Sequence, residues 1–251
     1  MAIAFVTTAS PTHSTGTTVS LPRAGAVGNL IVAVLAFQGV AAGSGPWVDS
    51  NTGQYTTDYI GPSSGWARIG IQAPSATGVG IEVWAAISGT TIGTSHAALL
   101  TSRTWQTVQA YYSGVYAPNG NINDGAVRAS AFQQWTGNTP QAPTVNATQN
   151  DMVLPVAGML MVSPGFGTPT GSANEGTFTT RSDAAGGGFG TVETVISDAP
   201  CLTSGATGAI TWPGNAASSG TPGATATLVI RPAPPKPTSA GLVLDFTYPT
   251  F

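Results

Sequence analysis

Charge is what this chain of 251 residues has least of. Asp, Glu, Lys and Arg together make up 7% of it, against roughly a quarter in an average globular protein. The cations are six arginines and one lysine, Lys236, and the net charge is −3. No basic stripe exists, so the phosphate neutralisation that drives nucleic-acid binding has little to work with, and nucleic acid is not an expected partner. Long exposed helices, normally laced with Glu and Lys, are disfavoured for the same reason. Cysteine is nearly absent too. Cys201 stands alone, which rules out an internal disulfide and points to a buried thiol. The two histidines, His13 and His96, have no second His, Cys or carboxylate at metal-ligand spacing, so neither a metal nor another cofactor is expected. The longest apolar runs, Leu30 to Phe37 and Met152 to Val162, fall short of the roughly 20 residues that a membrane helix needs. The opening Met1-Ala2-Ile3-Ala4-Phe5 lacks the basic start and long apolar stretch of a secretory signal. Synthesis in a cytoplasm, without membrane insertion, is the expectation.

What fills the chain instead is a 41% hydrophobic fraction with 33 glycines and 19 prolines, arranged with a period of two. Val79, Ile81, Val83, Ala85 and Ile87 alternate with Gly80, Glu82, Trp84 and Ala86, as in a strand. Trp66 to Ile71, Thr177 to Thr180, Thr191 to Ile196, Gly208 to Trp212 and Thr225 to Ile230 read as further strands. Leu30 to Phe37 and Met152 to Met161 are continuously apolar, as expected of central strands covered on both sides. Gly43-Ser44-Gly45-Pro46, Gly61-Pro62-Ser63-Ser64-Gly65, Pro118-Asn119-Gly120-Asn121 and Gly186-Gly187-Gly188 mark loops. Helical spacing is confined to Thr94 to Ser102, which could hold a turn. Many short strands with regular turns predict an all-β sandwich or barrel.

The tail changes character. Arg231-Pro232-Ala233-Pro234-Pro235-Lys236-Pro237 is a stiff spacer that cannot continue a central strand. Beyond it Leu242, Leu244, Phe246 and Tyr248 alternate with Val243, Asp245 and Thr247. Residues 1–231 therefore read as one sandwich domain. Residues 232–251 read as a spacer carrying a docking strand, whose apolar side suits a groove and whose backbone suits an exposed sheet edge.

Chemistry finds little to use. Gly61-Pro62-Ser63-Ser64-Gly65 has the form of a nucleophile elbow, but that motif needs a helix after the serine, and here a strand follows. Gly186-Gly187-Gly188-Phe189-Gly190 lacks the lysine of a phosphate loop. Asp49, Asp58, Asp124, Asp151, Asp183 and Asp198 lie near expected turns, while Glu82 and Glu193 lie in strands, expected to face solvent. The residues thus favour a protein that is not an enzyme. Trp47, Tyr55, Tyr59 and Trp105, in or near expected loops, are candidate sugar-facing aromatics; plugs for the sandwich ends or for an interface are the plainer assignment.

The order of these segments resembles a jelly-roll module of bacteriophage structural proteins and some bacterial surface proteins. The resemblance runs through Gly28-Asn29-Leu30-Ile31-Val32-Ala33-Val34, Gly65-Trp66-Ala67-Arg68-Ile69, Glu82-Val83-Trp84-Ala85-Ala86 and Tyr111-Tyr112-Ser113-Gly114-Val115. It continues through Asn150-Asp151-Met152-Val153-Leu154, Gly205-Ala206-Thr207-Gly208 and Leu228-Val229-Ile230-Arg231-Pro232. It covers roughly residues 1–232 and departs from the module at the long insert Val40 to Ser64 and at the C-terminal arm. It implies an all-β, jelly-roll-like antiparallel β-sandwich with a C-terminal extended arm. It further implies a virion component of the minor tail, tail-tip or head-decoration kind, whose partners are other virion proteins and further copies of itself. The alternative it leaves open is a carbohydrate-binding or receptor-binding module for a host glycan.

Overall fold

The computed structural model describes residues 2–21, 26–38, 66–72, 74, 78–89, 95–137, 139–160, 166–184, 192–213 and 222–235. The first half of the chain forms β1 (Ala4–Leu21), β2 (Leu30–Gln38), β3 (Trp66–Gln72), β4 (Val79–Ile87) and β5 (Ser95–Ser113). These make one antiparallel sheet in the order β1-β5-β2-β4-β3. After a short 3-10 turn at Ile122–Asp124 come β6 (Val127–Trp135), β7 (Gln141–Ala142), β8 (Asn146–Ala147), β9 (Met152–Leu160) and β10 (Thr179–Ala184). The last strands are β11 (Val192–Pro200), β12 (Gly205–Ala206), β13 (Ile210–Thr211) and β14 (Gly223–Ile230). The long strands of this half form a second antiparallel sheet, β10-β11-β9-β14-β6. The expected all-β antiparallel sandwich is thus two five-stranded sheets face to face, with strands allotted to sheets by chain half. The two continuously apolar runs, β2 and β9, hold the central place in their sheets.

Alternation decides which side chains meet between the sheets. Leu30, Val32, Val34 and Ala36 of β2, with Val79, Ile81, Val83 and Ala85 of β4, face Leu154 and Val156 of β9 and Ala224, Ala226 and Leu228 of β14. Each fully buried Val, Leu or Ile contributes about 1.5–3 kcal/mol, before ordering costs. Gly158 lies where the sheets press together. A Cβ there would stand 2.7 Å from Ile81 Cγ2 and 2.9 Å from Ala36 Cβ.

The outer faces are buried as well. Over the second sheet lies a further layer made of the segments bearing β7, β8, β12 and β13. Val153, Val195 and Val229 on the sheet pack with Phe166, Phe178, Ile210 and Trp212 of that layer. Threonines fasten it: Thr225 Oγ1 donates to Gln141 O at 2.7 Å, Thr227 Oγ1 donates to Pro143 O at 2.6 Å, and Val145 N donates to Thr207 Oγ1 at 3.1 Å. On the first sheet Leu35, Phe37, Trp84 and Trp105 form a separate buried cluster on the outer face. Several expectations are corrected by this covering. Glu82 and Glu193 do not face solvent but are buried. Thr94 to Ser102 is not a helical turn, since β5 begins at Ser95 and pairs with β1. Trp105 is in mid-strand, not a loop.

The two sheets repeat one topology. In each half the first strand is an edge, followed in space by the fifth, second, fourth and third. The turns into the central strands match bond for bond. Gly28 N donates to Ser88 O, Ser88 N to Asn29 O and Asn29 N to Ala26 O. Their counterparts are Asn150 N to Cys201 O, Cys201 N to Asp151 O and Asp151 N to Thr148 O. Gly28 (φ 87°) and Asn150 (φ 74°) adopt the same left-handed backbone, which Gly and Asn tolerate best. Face-to-face packing then sets the third strand of each half beside the first strand of the other: β3 meets β6, and β1 meets β10.

Candidate assembly site

The arm's root is fixed to the end of the sandwich, and the Tyr111–Val115 motif is what holds it. Tyr112 points into the core and Tyr111 to the outer face, where its hydroxyl donates to Gln109 Oε1 at 2.7 Å. Gly114 then turns the chain with φ 73°; a Cβ on it would lie 2.4 Å from the carbonyl oxygen of Ala2, so only glycine fits. Its carbonyl accepts from Ala233 N at 2.7 Å, Arg231 O accepts from Tyr116 N at 2.9 Å, and Val115 bridges to Pro232. The Arg231 guanidinium lies 4.0 Å over the Tyr116 ring. Backbone bonding to the body continues past Arg231, through Ala233.

Beside this root is a cleft of about 440 Å³ whose lining includes Ala2, Arg128, Asp151, Arg231 and Pro235. Asp151 is buried. It accepts Thr148 N at 2.8 Å, closing the turn before β9, and meets Arg128 Nε at 3.0 Å. Arg128 also lines the next hollow, a groove of about 390 Å³ between the edge strands β3 and β6. Its apolar wall is Ala67, Ile69, Val127 and Ala129; Arg68 and Arg128 stand on it with 41% and 38% of their side chains exposed. The floor at Ile122 is held by a capping box, in which Asn121 Oδ1 accepts Asn123 N and Asp124 accepts the backbone N–H of Asn121. Hydrogen bonds from Asn119 hold the Asp124 carboxyl below the usual carboxylate range.

The opposite side, where β1 meets β10, is filled. Arg181 Nε reaches both oxygens of the buried Asp198, at 2.9 and 2.8 Å. Its guanidinium lies 4.3 Å over the Phe5 ring, and Phe5 meets Tyr112 edge to face at 6.0 Å. Tyr112 points its buried hydroxyl toward Asp198 without a well-formed hydrogen bond. Burial first, then the Asp198 charge, raises this phenol well above its ordinary value, against the opposing pull of Arg181.

Searches with family models, among the curated proteins and among the solved structures found no match.

Of the arm residues expected to dock, Leu242, Leu244, Phe246 and Tyr248 lie outside the described residues, as do Trp47, Tyr55 and Tyr59 among the candidate sugar-facing rings. Trp105 is described and is 2% exposed, packed in the outer-face cluster with Phe37 and Trp84. A sugar cannot stack on a ring so covered, so it leaves that set. Several carboxylates have structural partners: Glu82 with Arg68 at 3.5 Å, Asp151 with Arg128, Asp198 with Arg181, and Glu175 with Ser172 N at 2.9 Å. Cys201 is buried, donates to Thr203 O at 3.2 Å, and burial pushes its thiol up. His13 is exposed on β1. Among the described residues no group of three or more His, Cys, Asp or Glu is placed to hold a metal, and no helix is long and apolar enough to cross a membrane. The site residues that sequence reasoning passed over are Tyr116, Arg128 and Arg231. The spacing of residues along the chain carried no sign that Gly114 and Ala233 would meet.

Proposed function

We propose that this chain is a non-enzymatic structural subunit of a bacteriophage particle, of the minor tail, tail-tip or head-decoration kind, acting through protein–protein assembly. The observation that carries the assembly part is the fixed root of the arm, stapled at Gly114, Tyr116, Arg231 and Ala233. A spacer that starts from a rigid point presents its strand to a neighbour with less orientational freedom to lose. The structural engagement of Asp151, Glu175 and Asp198 supports the same reading, since acids spent on turns and ion pairs are poorly placed for acid–base chemistry. The phage part rests on the ordered motifs from Gly28 to Pro232. Purified particles should contain the chain at constant stoichiometry through a density gradient. Its absence from particles, together with specific retention on a glycan array, would replace this reading with the receptor-binding one.

A further inference from the structure

Resting on the assembly reading, we propose that the cleft beside the arm's root is a carboxylate-binding site, and that its occupant is an Asp or Glu side chain on an acidic segment of a neighbouring protein. Two of the chain's six arginines, Arg128 and Arg231, line this cleft. Arg128 meets Asp151 along one edge only, with Nη2 3.2 Å from Oδ1 and Nε 3.0 Å from Oδ2. That side-on pairing fixes the guanidinium and leaves the two N–H of Nη1 and one of Nη2 turned away from Asp151. The Arg128 side chain is 38% exposed, whereas that of Asp151 is fully covered. Arg231 is less engaged still. Its guanidinium rests on the Tyr116 ring at 4.0 Å, which restricts its movement, and among the described residues no carboxylate or carbonyl accepts from it.

The acids nearby are already spent. Asp151 has both oxygens engaged, Oδ1 by Arg128 and Oδ2 by Arg128 and Thr148 N. Asp124, in the turn under the adjoining groove, is held by Asn119 and Asn121. Gln149 and Asn150 add two exposed side-chain amides to the lining, neither with a described hydrogen bond. Pro232, Pro234 and Pro235 have no N–H, and Ala233 N is spent on Gly114 O, so the root contributes carbon surface and carbonyls. A hollow rich in donors, with its own acid neutralised, calls for a ligand that brings negative charge and acceptors. The arginine fork fits a carboxylate with two bonds at once. The lining then selects the class of partner. Among the described residues that line the cleft there is no aromatic ring on which a base or a sugar could stack. A peptide uses what is present: its carboxylate suits the guanidiniums, its carbonyls suit the amides of Gln149 and Asn150, and its N–H groups suit the root's carbonyls. A volume of about 440 Å³ holds an acidic side chain with the backbone on either side of it. A partner seated there would lie against the arm's root, the segment on which the assembly reading rests.

Fluorescence anisotropy with the full-length chain tests this, using the fluorescein-labelled peptide Gly-Glu-Ala-Glu-Gly and its neutral counterpart Gly-Gln-Ala-Gln-Gly. The Glu peptide should bind, more weakly as salt rises, and the Gln peptide should not. Arg231→Gln should reduce affinity for the Glu peptide about tenfold or more, the loss expected of a hydrogen-bonded charge pair. Arg231→Lys should recover only part of it, because a lysine cannot grip a carboxylate at two points. The root's backbone bonds run through the main chain of residue 231, so both variants should keep the parent's circular dichroism. Arg128→Gln alone would strand a buried carboxylate, so Arg128 is tested as Arg128→Gln/Asp151→Asn, which removes both charges together and should also cost about tenfold. Failure of the Glu peptide to bind, equal binding of the two peptides, or an affinity that Arg231→Gln leaves unchanged overturns the proposal. Preference for an oligogalacturonate over the Glu peptide overturns it too, since the occupant would then be an acidic glycan. So does self-association of the chain alone that Arg231→Gln abolishes, since the occupant would then be a second copy. If the Glu peptide binds but the chain is absent from particles, the cleft stands and the virion reading falls. If the chain is in particles and the Glu peptide never binds, the reverse holds.

Discussion

At the scale of single residues, the side of the sandwich where β1 meets β10 is the most sensitive place described. Asp198 is 2% exposed and depends on Arg181 for charge compensation. Arg181→Ala should cost about 3 kcal/mol in a urea titration, because it leaves a carboxylate buried without its partner. Arg181→Lys should recover only part, since a lysine cannot reproduce the guanidinium's bond geometry and its stacking over Phe5. The neighbouring phenol makes a pH prediction. The folded Tyr112 holds its proton above the ordinary value of about 10. The native state therefore binds more protons than the unfolded state once pH passes about 10, and stability falls as pH rises through that window. The contribution is complete below pH 10 and lost progressively above it. Tyr112→Phe should flatten this alkaline decline, measured as the difference in unfolding free energy between the two proteins from pH 8 to 11. None of this was legible beforehand. Arg181 and Asp198 are far apart in sequence pattern, and alternation says which face a side chain takes but not whether another layer covers that face. The same gap explains why Glu82 and Trp105 were expected at the surface.

At the scale of elements, strand positions were legible in part, since no strand was read over β1 or β6, and strand partners were not legible. Val79 to Ile87 is β4 to the residue, and the runs starting at Leu30 and Met152 are the two central strands. β5 was missed because His96-Ala97-Ala98-Leu99-Leu100 is rich in helix formers, and only its pairing with β1 makes it a strand. The repeat of the two halves left a trace, since Gly28-Asn29-Leu30-Ile31-Val32 and Asn150-Asp151-Met152-Val153-Leu154 are chemically parallel. Reading each as a separate motif concealed that they are the same turn. Two substitutions test how the layers are joined. Gly158→Ala adds a methyl where Ile81 and Ala36 already press, and should lower stability by about 1–3 kcal/mol. Thr227→Val keeps shape but strips the donor from Pro143 O, and should cost about 1–2 kcal/mol while loosening the layer over the second sheet. Faster amide exchange in β7 and β13, with β2 and β4 unchanged, would show that the loss is local.

At the scale of the whole molecule, a pseudo-two-fold sandwich gives each copy two edge junctions, one closed by Phe5 and Arg181 and the other bridged by the Phe132 ring over Gly70, with a groove beside it. The arm starts from the end of the sandwich, so its removal separates folding from assembly. A chain ending after Pro235 keeps the bridge from Pro232 to Val115 and the bond from Ala233 N to Gly114 O. It should melt with the full-length protein. A chain ending at Arg231 loses both and should be less stable by about 1 kcal/mol, the net worth of one such hydrogen bond. Neither chain carries the strand 242–248, and both should fail to take their place in the particle despite being folded. The comparison is informative because stability and incorporation then move independently: the Pro235 chain is as stable as the parent yet absent from particles by immunoblot of gradient fractions. Normal occupancy of the Pro235 chain would show that the arm is not the tether, and assembly would have to run through the body of the sandwich.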